Sequence, residues 1–184
     1  MVTALSDPPA IRAVALVHQE GVLALIAVIG LSFGEVRILD ALTPNGPLLG
    51  SLATGVAAGA ACVAVLWLLR SVPGLRRLEH WQRGVVADWT IADAVSVALI
   101  SGIAEEALLR AFLQPIIGLA PAAVLFAVLH VVPDRKLWFW PVFALVTGIL
   151  LGVLFESRGY PAAAAAHFLI NLVALLRLLR PEVE

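Results

Sequence analysis

Charge is scarce in this chain: 14% of its 184 residues are Asp, Glu, Lys or Arg, against 61% hydrophobic, and the mean hydropathy is +1.00. A soluble domain of this size cannot hide so much apolar surface, so the composition belongs to the membrane class. Basic residues show no excess either. A net charge of -1 without a clustered basic patch excludes nucleic acid as a partner, because neutralising phosphates requires Lys and Arg massed on one face. Cysteine is limited to Cys62, inside the apolar run Ala60 to Ala64. No intramolecular disulfide can form, and Cys62 reads as a small packing residue. Ahead of the first apolar stretch there is neither a basic n-region nor a small-residue cleavage site. That stretch is therefore expected to stay in the mature protein. Internal repeats, low-complexity tracts and a soluble domain are missing too, which points to a single membrane domain over residues 1–184.

Long apolar runs, in contrast, are plentiful. A bilayer core about 30 Å thick needs roughly 20 apolar residues per helix. Six segments qualify or nearly so: Ala13–Phe33, Leu48–Leu69, Ile91–Leu113, a short one at Pro121–Val132, Leu137–Phe155 and Ala162–Leu179. Breakers separate them, including Pro44 to Pro47, Pro73-Gly74, Pro115 with Gly118 and Pro121, Pro133-Asp134, and Gly159 to Pro161. The expected fold is all-α, a polytopic bundle of about six transmembrane helices. Short-loop charge sets its orientation. With both termini cytoplasmic, Arg12, Arg70, Arg76, Arg77, Arg83, Arg135, Lys136, Arg177 and Arg180 all face inward, leaving Arg37 and Arg158 outside. The five Trp residues fall near predicted helix ends, as interfacial rings should. The pairs Gly55 with Gly59 and Gly148 with Gly152 predict close helix packing.

Ionisable groups inside such helices cost at least about 2.5 to 3.5 kcal/mol each and normally face the bundle interior for a purpose. Three places carry them: Glu105-Glu106 with Arg110 on the third span, His130 after Phe126 on the fourth, and His167 with Asn171 on the sixth. Glu106 and Arg110 are four apart, the favoured order for an ion pair. Glu105 is rotated about 100° away and is left free to act. His167 and Asn171, also four apart, project from one face as two hydrogen-bond donors. Counted at about 1.5 Å per residue, Glu105, His130, His167 and Asn171 can meet in the outer half of the membrane.

The three motifs Glu-Glu-x-x-x-Arg, Phe-x-x-x-His and His-x-x-x-Asn, in this order on membrane helices, resemble the signature of the CAAX-protease and bacteriocin-processing family, also called the Abi family. The likeness spans a catalytic core of about residues 90–179. It implies an intramembrane endopeptidase in which Glu105 and His130 activate a water while His167 and Asn171 steady the oxyanion. Glu106, Arg110 and Phe126 support them.

A carboxylate in a poorly solvated cavity suits a general base, and donors aimed at a developing oxyanion are worth about 3 to 4 kcal/mol each in other hydrolases. No serine or cysteine nucleophile is required, and Ser101, one turn before Glu105, reads as bonding its own backbone. The same atoms admit a zinc reading, with Glu105, His130 and His167 as ligands and Glu106 as base. The His-Glu-x-x-His helix of common zinc proteases is missing, and chemistry without a cofactor is preferred. A transporter would show matched broken repeats, which are absent. A non-catalytic immunity or scaffold protein of the same family is the remaining alternative. The remaining polar groups have duller readings: His18 and Glu20 as interfacial or packing residues, Glu79 and His80 as solvated in the second loop, Asp88 or Thr90 as a helix cap, and Asp93 as interfacial. The expected partners are the bilayer and a membrane-anchored protein or peptide. A site in the outer half suits the C-terminal sorting tail of an exported protein, as cut by the short family members called myxosortases. The expected location is a bacterial inner membrane.

Overall fold

A computed structural model of the chain describes residues 10–34, 38–132 and 134–180. Arg37 and Pro133, assigned above to an outer loop and a turn, lie outside them, as do both extreme termini. Among the described residues the elements are helical, apart from an isolated antiparallel bridge between Pro44 and Gly159. In chain order they are α1 (Ala13–Ser32), α2 (Ile38–Ala41), α3 (Leu48–Leu68), α4 (Pro73–Val85), α5 (Ile91–Glu106), a π-helical stretch Ala107–Leu113, α6 (Gln114–Ile117), α7 (Leu119–Leu129), α8 (Phe139–Arg158) and α9 (Tyr160–Leu178).

Among the described residues four helices are long and apolar enough to cross a bilayer: α1, α3 with its 3-10 continuation to Ser71, α8 with the 3-10 turn that leads into it from Arg135, and α9. The third expected span is α5, the π stretch and α6 in succession, 16, 7 and 4 residues. It has the length but carries Glu105, Glu106 and Arg110. The fourth, α7, has 11 residues. At about 1.5 Å each it reaches only roughly 16 Å, half a bilayer. The chain is thus a multi-pass integral membrane protein whose apolar side chains, such as Val22, Leu25 and Ile29 on α1 and Leu52 and Val56 on α3, are exposed for contact with lipid.

Two expectations need correction. The second loop is in part a helix, α4, with Leu75, Leu78 and Val85 buried and Arg76, Arg77 and His80 exposed. Arg83 on α4 donates to the carbonyls of Leu178 and Arg180, satisfying the open C-terminal end of α9. Glu79 is accordingly not merely solvated: Arg177 lies 3.1 Å away. Of the two caps expected for α5, Thr90 is the one in place, and Asp93, expected as interfacial, completes it. Thr90 Oγ1 accepts from the Asp93 backbone N–H at 3.2 Å, and the Asp93 carboxylate accepts from the Thr90 backbone N–H at 2.8 Å, a reciprocal capping box.

Helix α9 runs through the centre, packed on α3, α5 and α8, while α1 leans on α5 and the π stretch, and α7 on α8. Small residues permit this. A Cβ on Gly55 would collide with the carbonyl of Ala162, and one on Gly59 would come within 2.9 Å of the Ala166 oxygen. Gly102 does the same for α5, where a Cβ would lie 3.0 Å from Phe168 N. That contact brings the acidic end of α5 against His167.

Candidate active site

Glu106 is the best-enclosed acid among the described residues. It is 0% exposed, as is Arg110, whose Nε donates to Glu106 Oε2 at 3.1 Å. The other oxygen, Oε1, faces His167 Nδ1 at 2.9 Å. Both oxygens of Glu106 are thereby engaged, and Nδ1 of His167 must carry the hydrogen, because a carboxylate only accepts. Arg110 extends the chain weakly to Gln114 Oε1 at 3.5 Å, and Gln114 Nε2 donates to the Gly152 carbonyl at 3.1 Å and to Glu156 Oε1 at 3.0 Å. Sequence reasoning had not noticed Gln114 or Glu156.

The third span departs from α-helical geometry over Ala107–Leu113, directly after the two acids. An inserted π turn re-aims the residues that follow it, and such insertions recur at functional sites. Here Arg110 and Gln114 both end up turned into the interior, at 0% and 3% exposure.

Phe126 stands between the two histidines. Its ring lies 4.5 Å from that of His130 and 5.6 Å, edge-on, from that of His167, with the Arg110 guanidinium 5.4 Å above it. Gly148 on α8 leaves room for this ring, since a Cβ there would come within 3.2 Å of Phe126 Cδ1. His130 Nδ1 is 2.7 Å from the Phe126 carbonyl. A carbonyl only accepts, so Nδ1 bears the hydrogen and Nε2 of the neutral ring keeps a free lone pair.

Glu105 does not share the partners of Glu106. It lines a cavity of about 460 Å³ together with His130, Ser101 and Asn171, walled by Leu16, Leu23, Trp81 and Phe143 among other apolar side chains. Asn171 Nδ2 donates to Ser101 Oγ at 2.9 Å, while Ser101 Oγ is also 3.3 Å from the Ala98 carbonyl. Ser101 therefore bonds its own backbone, as expected, and in addition anchors Asn171. A smaller recess that shares His130 and Asn171 with the cavity is lined by His167 and Phe126 as well. Glu105, His130 and Asn171 thus line the larger space and His130, Asn171 and His167 the smaller one, with the buried Glu106 bonded to His167 and Arg110.

Glu20 was expected at an interface or in simple helix packing. It is instead 6% exposed and on the wall of the same cavity. The sequence signal was present, an acid inside an apolar span, but nothing linear ties it to Glu105. Among the described residues no group of three His, Cys, Asp or Glu side chains is placed to hold one metal ion.

Comparison with known proteins agrees with the three motifs. Residues 87–173 match a family model described as type II CAAX prenyl endopeptidase Rce1-like, so the stretch holding Glu105, His130, His167 and Asn171 carries that family's pattern. The Uncharacterized protein YpbD of Bacillus subtilis (strain 168) is 39% identical over 87 residues, a match that covers 46% of this chain and 44% of that one. The chain thus matches less than half the length of that relative. No solved structure matches.

Proposed function

We propose that the protein is an intramembrane endopeptidase that hydrolyses a peptide bond in a membrane-anchored protein with a water activated by Glu105 and His130. The observation that carries this is the division of labour between adjacent acids. Glu106 is neutralised on both sides by Arg110 and His167, while Glu105 fronts a cavity shared with His130 and Asn171. Water held between the Glu105 carboxylate and the free Nε2 of His130 gives up a proton to Glu105 as its oxygen attacks the peptide carbonyl. The second hydrogen of the Asn171 amide is directed to the resulting oxyanion. Nε2 of His167 joins it when that ring carries hydrogens on both nitrogens. The proton on Glu105 then passes to the departing amine.

The substrate class follows from the walls. Helix α1 contributes Leu16, Glu20 and Leu23 to the cavity, and α3 contributes Val63, Leu66 and Trp67. These two spans make at most marginal contact with each other, which leaves a lateral path for a segment arriving from the bilayer. A sorting tail at the outer leaflet fits the depth of Glu105, about 21 Å along α5 from Ile91. The cavity also runs past Trp81 and Glu79 on α4, beside the arginines that the charge bias assigns to the cytoplasm. That favours a segment reached from the arginine side.

The test is cleavage of a panel of membrane-anchored tails by purified protein in detergent, with Glu105→Gln alongside and a strong chelator in parallel. Loss by about 10²- to 10⁴-fold in the variant, with activity intact in chelator, supports the reading. Loss in chelator with rescue by zinc would replace it with metal-dependent hydrolysis. No cleavage of any tail would favour the scaffold.

A further inference from the structure

His130 is the residue that ends α7, half-buried and with no further helical turn beyond it to hold its side chain. The outer torsion of a histidine is soft and roughly two-fold, and a half-turn of the ring would take Nδ1 off the Phe126 carbonyl and re-aim Nε2. Two holds on the ring come from one turn back on the same helix: the Phe126 carbonyl, 2.7 Å from Nδ1, and the Phe126 ring at 4.5 Å. A third comes from elsewhere in the chain. Trp140, near the start of α8, meets the His130 ring at 5.8 Å and 71°, the edge-to-face geometry that aromatic pairs prefer. Trp140 is itself backed by Trp81 of α4, at 5.7 Å, and both rings pack on the buried cluster of Leu75, Leu78 and Leu137. The motifs do not include Trp140, and its place near a helix end suggests only an interfacial anchor. Here its side chain instead lines both the cavity and the recess, beside His130.

We propose that Trp140 is a positioning residue for His130: its ring holds the imidazole in the one orientation that keeps the Nδ1 hydrogen on the Phe126 carbonyl and leaves Nε2 to accept from the attacking water. The inference rests on the endopeptidase reading for its kinetic consequence but not for the held ring itself. Without Trp140 the ring turns about its soft torsion, and the bond to the Phe126 carbonyl is broken for part of the time. The hydrogen is then no longer tied to Nδ1. In the other tautomer Nε2 carries it and cannot accept from water. Helix α4 gains a role by the same chain of contacts, because Trp81 and the leucines beside it are what Trp140 leans on.

Two measurements test it on the intact protein. Nitrogen NMR of histidine-labelled protein in detergent distinguishes the two tautomers, and the His130 signals among the four histidines are found by their loss in His130→Gln. Wild type should show His130 in the Nδ1–H form alone. Trp140→Leu, which keeps apolar bulk but no ring, should show both forms, and Trp140→Phe, which keeps a ring edge, should stay as wild type. A folded Trp140→Leu protein with the wild-type His130 spectrum overturns the proposal whether or not the protein cleaves anything. Should Trp140→Leu fail to fold, Trp81→Leu carries the same test from one ring further back, with a smaller admixture of the second form expected and an unchanged spectrum overturning the proposal. In the cleavage assay, Trp140→Leu should lower kcat by about 10-fold with KM changed by less than about 3-fold, and Trp140→Phe should recover to within about 3-fold of wild type. A raised KM at unchanged kcat would make Trp140 a substrate contact and overturn it, as would Trp140→Phe as slow as Trp140→Leu. Glu105→Gln retaining full cleavage would sink the endopeptidase reading instead, with the NMR result still reporting on the His130 ring.

Discussion

Arg110→Met removes the cation of the buried pair while nearly keeping its volume, and the structure sets the expected damage. Arg110 and Glu106 are both fully enclosed and 3.1 Å apart, so no water can replace the lost partner. Breaking a buried pair from one side costs about 3 to 5 kcal/mol, because the survivor is left uncompensated. His167 remains 2.9 Å from Glu106 and shields part of that charge, which argues for the lower end. Loss of the guanidinium over the Phe126 ring adds up to about 2 kcal/mol in a desolvated setting. At about 2 to 4 °C per kcal/mol for a chain of this size, thermal unfolding in detergent should fall by roughly 10 °C. The informative comparison is Arg110→Met combined with Glu106→Gln, which removes both charges and should regain about 1 to 3 kcal/mol of the single variant's loss. Unfolding of Arg110→Met at the wild-type temperature, or a double variant no better than the single, would refute the idea that Arg110 exists to neutralise Glu106.

Ser101→Ala should free the Asn171 amide from its anchor and lower kcat by roughly 10-fold with little change in KM, about 1.4 kcal/mol at the transition state; steady-state kinetics on a cleaved tail checks this. Arg77→Cys, exposed on α4, should react with a membrane-impermeant maleimide only after cell lysis. Labelling in intact cells would place α4 outside, and the favoured direction of substrate access would fail with it.

Much of the architecture was legible because membrane helices announce themselves by composition. The starts of α1, α3 and α5 fall at the expected residues, since Pro47 and the polar turn before Ile91 are local signals. The candidate site stood out for a related reason: charges are so costly in an apolar span that Glu105, Glu106, Arg110, His130 and His167 contrast with their surroundings, and helical spacing predicts the Arg110–Glu106 pair found here. What escaped is non-local or off-scale. Helix α4 mixes Arg76, Arg77, Glu79 and Arg83 with Leu75 and Leu78, a pattern too short and too charged to register against a 20-residue apolar template, though its 3.6-residue periodicity is plain once sought. The pairing of Asn171 with Ser101 joins α9 to α5, and that of Gln114 with Glu156 joins α6 to the end of α8. No one-dimensional rule brings those positions together. Glu20 escaped for the same reason, the other residues of its cavity wall being on other helices.

The marginal contact between α1 and α3 has a kinetic corollary under the proposed function. A substrate that reaches the cavity sideways is dissolved in lipid, not in buffer, so the variable the enzyme senses is the number of substrate molecules per unit area of membrane. Adding inert lipid at constant bulk concentrations of protein and substrate should then slow cleavage in proportion to the surface dilution, whereas adding buffer should leave the rate per vesicle unchanged. A cell could throttle such an enzyme without any inhibitor, simply by spreading its substrate over more membrane.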